Sequence, residues 1–154
     1  MKRRVYLDSC SLNRLTDDQT QARIRTEAEA VTRILDLVSA GEVTWIGSSF
    51  VHVELSRNSN LAKRATSLDL LMLATEFAAP DSATYQRALV LQAEGYGNFD
   101  ALHLALAEQS GAEWLITVDD RFLNRAARRP GSPLPTVLNP IDWIQRRQLW
   151  LLKR

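Results

Sequence analysis

Short apolar runs alternate with helical stripes along this chain. Arg4-Val5-Tyr6-Leu7, Val43-Thr44-Trp45-Ile46, Trp114 to Val118 and Thr136-Val137-Leu138 have the continuous apolar character expected of parallel strands covered on both faces. Between the first two, Ile24, Ala28, Val31, Leu35 and Val38 advance by four, three, four and three, which predicts a helix with one buried face ended by Gly41. Ser48-Ser49 supplies an N-cap for a helix carrying Val51 and Leu55. Leu61, Ala65, Leu68 and Met72 repeat the helical spacing, with Leu70-Leu71-Met72-Leu73 as core and the methionine as filler. Pro80 separates this helix from one starting near Asp81 that includes Tyr85, Ala88 and Leu89. Ala101 to Ala107 is apolar at nearly every position and reads as a helix buried on most of its surface. Further helices are expected from Asp120 to Arg129 and, led by Pro140, from Ile141 to Leu149, with a Pro/Gly/Ser loop at 130–135 between them. The apolar end, Leu149-Trp150-Leu151-Leu152, should pack on the body or on another chain. Strands separated by helices predict an α/β domain with a mainly parallel sheet.

The 154 residues fit one domain, 1–154, and a hydrophobic content of 45% is enough for an ordinary core. At a formal charge of +1, a polyanionic partner must be met by a local patch. The single cysteine, Cys10, rules out an internal disulfide and suits a reducing cytoplasm. The basic start Met1-Lys2-Arg3-Arg4 is followed by too few apolar residues before Asp8 for a signal peptide, and no run is long enough for a membrane span. The expectation is a cytoplasmic protein with no membrane partner.

Four carboxylates change this picture. Asp8, Glu54, Asp100 and Asp119 each fall at the C-terminal edge of a predicted strand or at the start of a helix. In an open parallel sheet that edge is where ligands bind. Taken singly, Asp8 is an ordinary helix N-cap and Glu54 an ordinary surface residue. Taken together, they repel: two unit charges about 4 Å apart interact by about 4 kcal/mol at an effective dielectric near 20. A divalent cation removes that conflict, and an oxygen-only ligand set from Asp8, Asp100 and Asp119 selects Mg²⁺ or Mn²⁺ over zinc. Such a site activates water against a phosphoryl group without a catalytic serine, lysine or histidine. His103, one turn after Asp100, reads as a buried or supporting residue, and Cys10 as a small buried one. Thr117 is placed to contact a substrate phosphate or a metal-bound water. Arg121, Arg125, Arg128 and Arg129 lie roughly on one helical stripe; Arg121 and Arg125 are the candidates for a phosphate backbone. Tyr96, in the joint Gly95-Tyr96-Gly97, offers a ring for base stacking or is an ordinary half-buried tyrosine. A phosphatase working through an aspartyl-phosphate is poorly served, because Asp8-Ser9-Cys10 lacks a second aspartate.

Val5-Tyr6-Leu7-Asp8-Ser9-Cys10, Val53-Glu54-Leu55, Asp100-Ala101-Leu102-His103-Leu104-Ala105 and Thr117-Val118-Asp119-Asp120-Arg121-Phe122 resemble the four acidic motifs of PIN-domain proteins, in the family's order. Cys10 stands where the family often has serine or asparagine, and Asn13 to Gln19 is more polar than the start usual in its toxins. The resemblance implies a Rossmann-like α/β/α sandwich around a central, mainly parallel sheet. It also implies a Mg²⁺- or Mn²⁺-dependent endoribonuclease with Asp8, Glu54, Asp100 and Asp119 as its acidic cluster and RNA as substrate. Many such small proteins resemble VapC-type toxins, which dimerise and pair with an antitoxin, so a homodimer and an antitoxin partner are expectations of the same resemblance. The alternative is a catalytically silent PIN-like module that binds RNA or protein.

Overall fold

The computed structural model describes residues 3–129 and 135–153. Met1 and Lys2 of the basic start, and the expected loop except Pro135, lie outside the described residues. The strands are β1 (Arg3–Leu7), β2 (Val43–Ser48), β3 (Glu76–Ala78), β4 (Trp114–Ile116) and β5 (Thr136–Leu138). The helices are α1 (Ser9–Asn13), α2 (Ala22–Ser39), α3 (Ser49–Ser56), α4 (Leu61–Leu71), α5 (Ser82–Ala93), α6 (Asn98–Gln109), α7 (Asp120–Ala127) and α8 (Pro140–Leu152).

All four strand pairings are parallel, in the order β3-β2-β1-β4-β5. The fold is thus the expected α/β arrangement of helices around a central parallel sheet. Right-handed crossovers put α1–α4 on one face of the sheet and α5–α7 on the other. The contacts follow that division: α1 packs on α2, α3 and α4, α5 packs on α6, and α8 returns to lie against α2. Val5, Tyr6, Leu7, Trp45, Ile46, Leu115 and Ile116 are completely buried, as strands covered on both faces require. The chain turns from β1 at once into a helix, and from β2 likewise, because Asp8 and Ser48 each accept a hydrogen bond from the backbone N–H three residues on. Asp119 caps α7 in the same way, accepting from Arg121 N and Phe122 N.

Several faces differ from the sequence expectation. β3 is an additional edge strand; Glu76-Phe77-Ala78 is largely exposed and lacks an apolar run to announce it. Met72 and Leu73 are 69% and 62% exposed, so only Leu71 of the expected Leu70–Leu73 core is fully buried. Helix α4 ends at Leu71, and the chain turns towards β3 before the last two can face inward. On α5 the inward residues are Thr84, Ala88 and Leu91, leaving Tyr85 and Leu89 outside. At the C-terminal end Trp150 packs on Trp114 and Trp143 with the Arg3 guanidinium over its ring, while Leu149, Leu151 and Leu152 stay exposed.

A buried acid holds the first helices in place. Glu27 is 0% exposed on α2, between Ile24 and Ala28 of the apolar stripe. Its carboxylate accepts from Arg14 Nε at 3.0 Å and from Asn139 Nδ2, and Arg23 Nε lies 3.4 Å away. Arg23 in turn grips Asp120 through two nitrogens, at 2.9 and 2.7 Å, and holds the Asp120 carboxyl below the usual range. Removing one partner of a buried ion pair costs about 3–5 kcal/mol because the other is left uncompensated. Glu27→Ala is therefore expected to lose about 3 kcal/mol or more in urea melts, whereas Met72→Gln should stay within about 0.5 kcal/mol.

Candidate active site

The sheet's order reverses at β1, whose neighbours are β2 on one side and β4 on the other. The strand C-termini open a crevice at such a point, and the chain leaving β1 and β4 runs into it. Asp8 N donates to Ile116 O at 3.2 Å and Ser11 Oγ to the same carbonyl at 3.0 Å, which fastens the two exits together. Asp8 and Thr117–Asp119 therefore meet at one edge. Helix α6, entered through Gly97 without a side-chain cap, adds Asp100 in its first turn, and α3 adds Glu54.

The carboxylates sense one another. Asp100 is pushed up to about 6, first by burial and then by the charges of Asp119, Asp8 and Glu54, with only His103 opposing. Asp8 is 3% exposed, and burial raises its carboxyl despite His103, Thr117, Cys10 and the Ser11 N–H. Burial pushes Glu54 up as well, but the hydrogen bond and charge of His103, helped by Ser9 and Arg57, bring it below the usual carboxylate range. Glu54 is the one of these three acids with a partner strong enough to reverse the effect of burial.

That partner belongs to a buried relay absent from the sequence reading. Val51 N donates to Ser48 Oγ at 3.0 Å, Ser48 Oγ meets Tyr6 Oη at 2.8 Å, Tyr6 Oη meets His103 Nδ1 at 2.7 Å, and His103 Nε2 meets Glu54. Ser9 Oγ donates to the same Glu54 oxygen at 2.9 Å. The contacts form one continuous chain from the start of α3 through β1 and α6 to Glu54. Burial pushes the Tyr6 hydroxyl far above its ordinary range, so it stays a donor. The signal for this network was two apolar elements each holding a lone polar residue, Tyr6 and His103, which only the fold pairs.

Other expected residues fall as follows. Cys10 Sγ points to both Asp8 oxygens at 3.1 Å and to Thr117 Oγ1 at 3.3 Å; burial and Asp8 raise the thiol well above its ordinary value, so it remains a donor. Thr117 lies beyond the end of β4, fully buried, and its hydroxyl also accepts from Asp119 N, so its contacts are internal. Arg121 and Arg125 line a cleft of about 540 Å³ with Gly95–Asp100 and Asp119. Among the described residues neither forms an ion pair, while Arg129 is tied to Glu94 and Glu108. The Arg125 guanidinium lies against Gly95, whose φ of +105 and lack of a Cβ permit that approach. Tyr96 is only 5% exposed, its ring edge-on to Phe122, and so presents no free face for stacking. Among the described residues no three His, Cys, Asp or Glu side chains stand close enough together to hold a metal ion as they are. The donor chemistry nevertheless fits one: Asp8, Asp100 and Asp119 offer only carboxylate oxygens, and among the described residues no Lys or Arg pairs with them.

The sequence profile of the PIN domain matches residues 5–128, most of the chain and all four acids. The chain belongs to the PIN domain family. No curated protein matches it significantly. Solved structures similar to this PIN protein include VapBC2 from Rickettsia felis bound to a DNA fragment from their promoter, at a TM-score of 0.61 and 17% identity over 88% of this chain and 98% of that one. VapC20 of Mycobacterium tuberculosis, described as a Sarcin-Ricin loop cleaving toxin, aligns at 0.56 and 16% identity over 77% and 92%. FitAcB from Neisseria gonorrhoeae aligns at 0.58 and 16% identity over 88% and 97%. At these identities the likeness is one of fold.

Two outcomes test this electrostatic arrangement. Asp100 binds its proton more tightly folded than unfolded, so it favours the folded state at low pH, and this advantage is lost as pH rises from about 4 to about 6. In EDTA, Asp100→Asn should thus gain stability relative to wild type across that window and keep the gain above it, as thermal melts at pH 4 and pH 7 would register. Tyr6→Phe leaves His103 Nδ1 and the Ser48 hydroxyl unsatisfied and should cost about 1–3 kcal/mol in denaturant melts.

Proposed function

We propose that this PIN-domain protein is a metal-dependent endoribonuclease that cuts RNA phosphodiester bonds at the cleft lined by Asp100 and Asp119, with Asp8 and Glu54 completing its acidic cluster. The observation that carries the reading is the Asp100 carboxyl, pushed up first by burial and then by the charges of Asp119, Asp8 and Glu54, in a cleft that Arg121 and Arg125 also line. Three acids without a counter-cation among the described residues, beside two arginines likewise without a counter-anion, complement a cation and a phosphate together. Asp8, Asp100 and Asp119 are the residues that would hold Mg²⁺ or Mn²⁺, which when bound neutralises them and supplies an activated water. A silent binding module has no need to retain that repulsion.

The chain's own residues account for the remaining steps. Arg121 and Arg125 bind and orient the RNA backbone from α7. In hydrolysis a water oxygen bonds to phosphorus, the phosphorus–oxygen bond to the departing nucleoside breaks, and a proton must leave the water. That proton passes to surrounding water, since Asp8, Asp100 and Asp119 are the residues that would hold the cation. Glu54 stays ionised through His103 and keeps a fixed negative charge on the α3 side. Cys10 and the Ser11 N–H steady Asp8. Thr117 braces the Asp119 turn from below and supports substrate binding indirectly.

The likeness in fold to VapC20, a toxin by description, supports the narrower reading that this protein is the toxin of a toxin–antitoxin pair, acting in the cytoplasm as a homodimer of one-domain chains. No helix among the described residues is long and apolar enough to cross a membrane.

Calorimetric titration with Mn²⁺ is expected to give saturable binding that Asp100→Asn and Asp119→Asn weaken, with cleavage of RNA abolished in Asp100→Asn. Wild-type cleavage by that variant would overturn the site. Replacing Arg121 and Arg125 by alanine should weaken RNA binding evenly across sequences and flatten the log–log salt slope by about 1.4, at about 0.7 per phosphate contact on a single strand.

A further inference from the structure

Phe99 is 53% exposed although it directly precedes Asp100 and sits on the wall of the same cleft. Its ring is braced from behind, edge-on to Phe50 at 5.6 Å, and Phe50 leans on His103 at 4.7 Å. The exposed ring is thus held by the same buried side chain that holds Glu54. Arg121 and Arg125 line this cleft from α7, and Asp100 and Asp119 line it as well. A fixed aromatic face, two guanidiniums without an ion pair among the described residues and a pair of carboxylates match the parts of one nucleotide beside a scissile phosphate. Resting on the nuclease reading above, we propose that Phe99 is a stacking platform for an unpaired base next to the bond that is cut. Bases in a duplex already use both faces in their own stack, whereas every unpaired base has a face to offer. Tyr96, between two glycines, is turned into the core against Phe122, leaving Phe99 as the exposed aromatic lining this cleft.

The test uses the full chain, Mn²⁺ and a nonhydrolysable single-stranded oligoribonucleotide carrying one 2-aminopurine, whose fluorescence falls on stacking. Wild type should bind it with quenching. Phe99→Ala should weaken binding by about 5- to 100-fold, the range measured for a lost base–aromatic stack, and abolish the quench. Phe99→Trp should restore both; Phe99→Leu, which keeps an apolar side chain without a π face, should not. Affinity for a duplex of the same sequence should be equal across the series. Unchanged single-strand affinity in Phe99→Ala, or wild-type behaviour in Phe99→Leu, overturns the stacking role while leaving the nuclease reading in place if RNA is still cut. A halved mass by light scattering in Phe99→Ala, with RNA affinity per chain unchanged, assigns the ring to a protein contact instead and equally overturns it. Failure of wild type to bind either single-stranded RNA or duplex removes the nuclease reading and this inference together.

Discussion

Parallel pairing of β1 with both β2 and β4 is the constraint from which the acidic cleft follows. Because all strands run the same way, every connection leaving the sheet's C-terminal edge emerges on one side, and the reversal of strand order at β1 keeps that side open. The register Leu7↔Ile116 then fixes Asp8 beside Thr117, and the Asp8 N–H bond to Ile116 O leaves little freedom in how the two loops meet. Both Asp8 and Asp119 meet the helix that follows as N-caps. The interaction that starts each helix is thus the one that anchors each carboxylate, so local folding and site geometry are set by the same hydrogen bonds.

The molecule treats its buried acids in two ways. Glu27 is surrounded by Arg14, Arg23 and Asn139, and Glu54 is met by His103 and Ser9; both carry strong compensation and both tie distant elements together. Asp8 and Asp100 receive a thiol, backbone donors or very little, and both are pushed upward by burial. Compensation is strong at Glu27 and Glu54 and weak at Asp8 and Asp100. A buried polar group without a partner is costly, and such a cost persists at places where function uses it. The Arg23 grip on Asp120 connects the two regimes, since it docks the start of α2 on the residue next to Asp119 without neutralising Asp119 itself.

What the sequence made legible were features with a local cause. Four strands announced themselves as continuous apolar runs, and the acids stood out because each interrupted one or followed it. Glu27 was hidden because its partners are distant in sequence: Arg14 lies 13 residues away and Asn139 lies 112. On a helical wheel it is one more charged residue beside an apolar stripe. The strand β3 was hidden because an exposed three-residue edge needs no apolar run. The assignment of Met72 and Leu73 to the core fails for a related reason: periodicity says that a helix has an apolar face without saying whether a neighbour covers it. Tyr96 turns into the core because direction, unlike position, is set by the turn at Gly95.

Cys10 shows how little a departure from the usual residue need change the site. Serine or asparagine at this position would present a stronger donor to Asp8, yet the thiol reaches both carboxylate oxygens at 3.1 Å and touches Thr117 as well. Burial and the adjacent Asp8 charge both disfavour a thiolate, so the proton that makes the contact is retained. A thiol is a weak donor, however, and it lowers the cost of ionising Asp8 less than a hydroxyl would. The substitution therefore leaves the geometry of the first acid intact and shifts its electrostatics in the direction the rest of the cluster already takes, towards carboxylates that hold their protons more tightly until a counter-charge arrives.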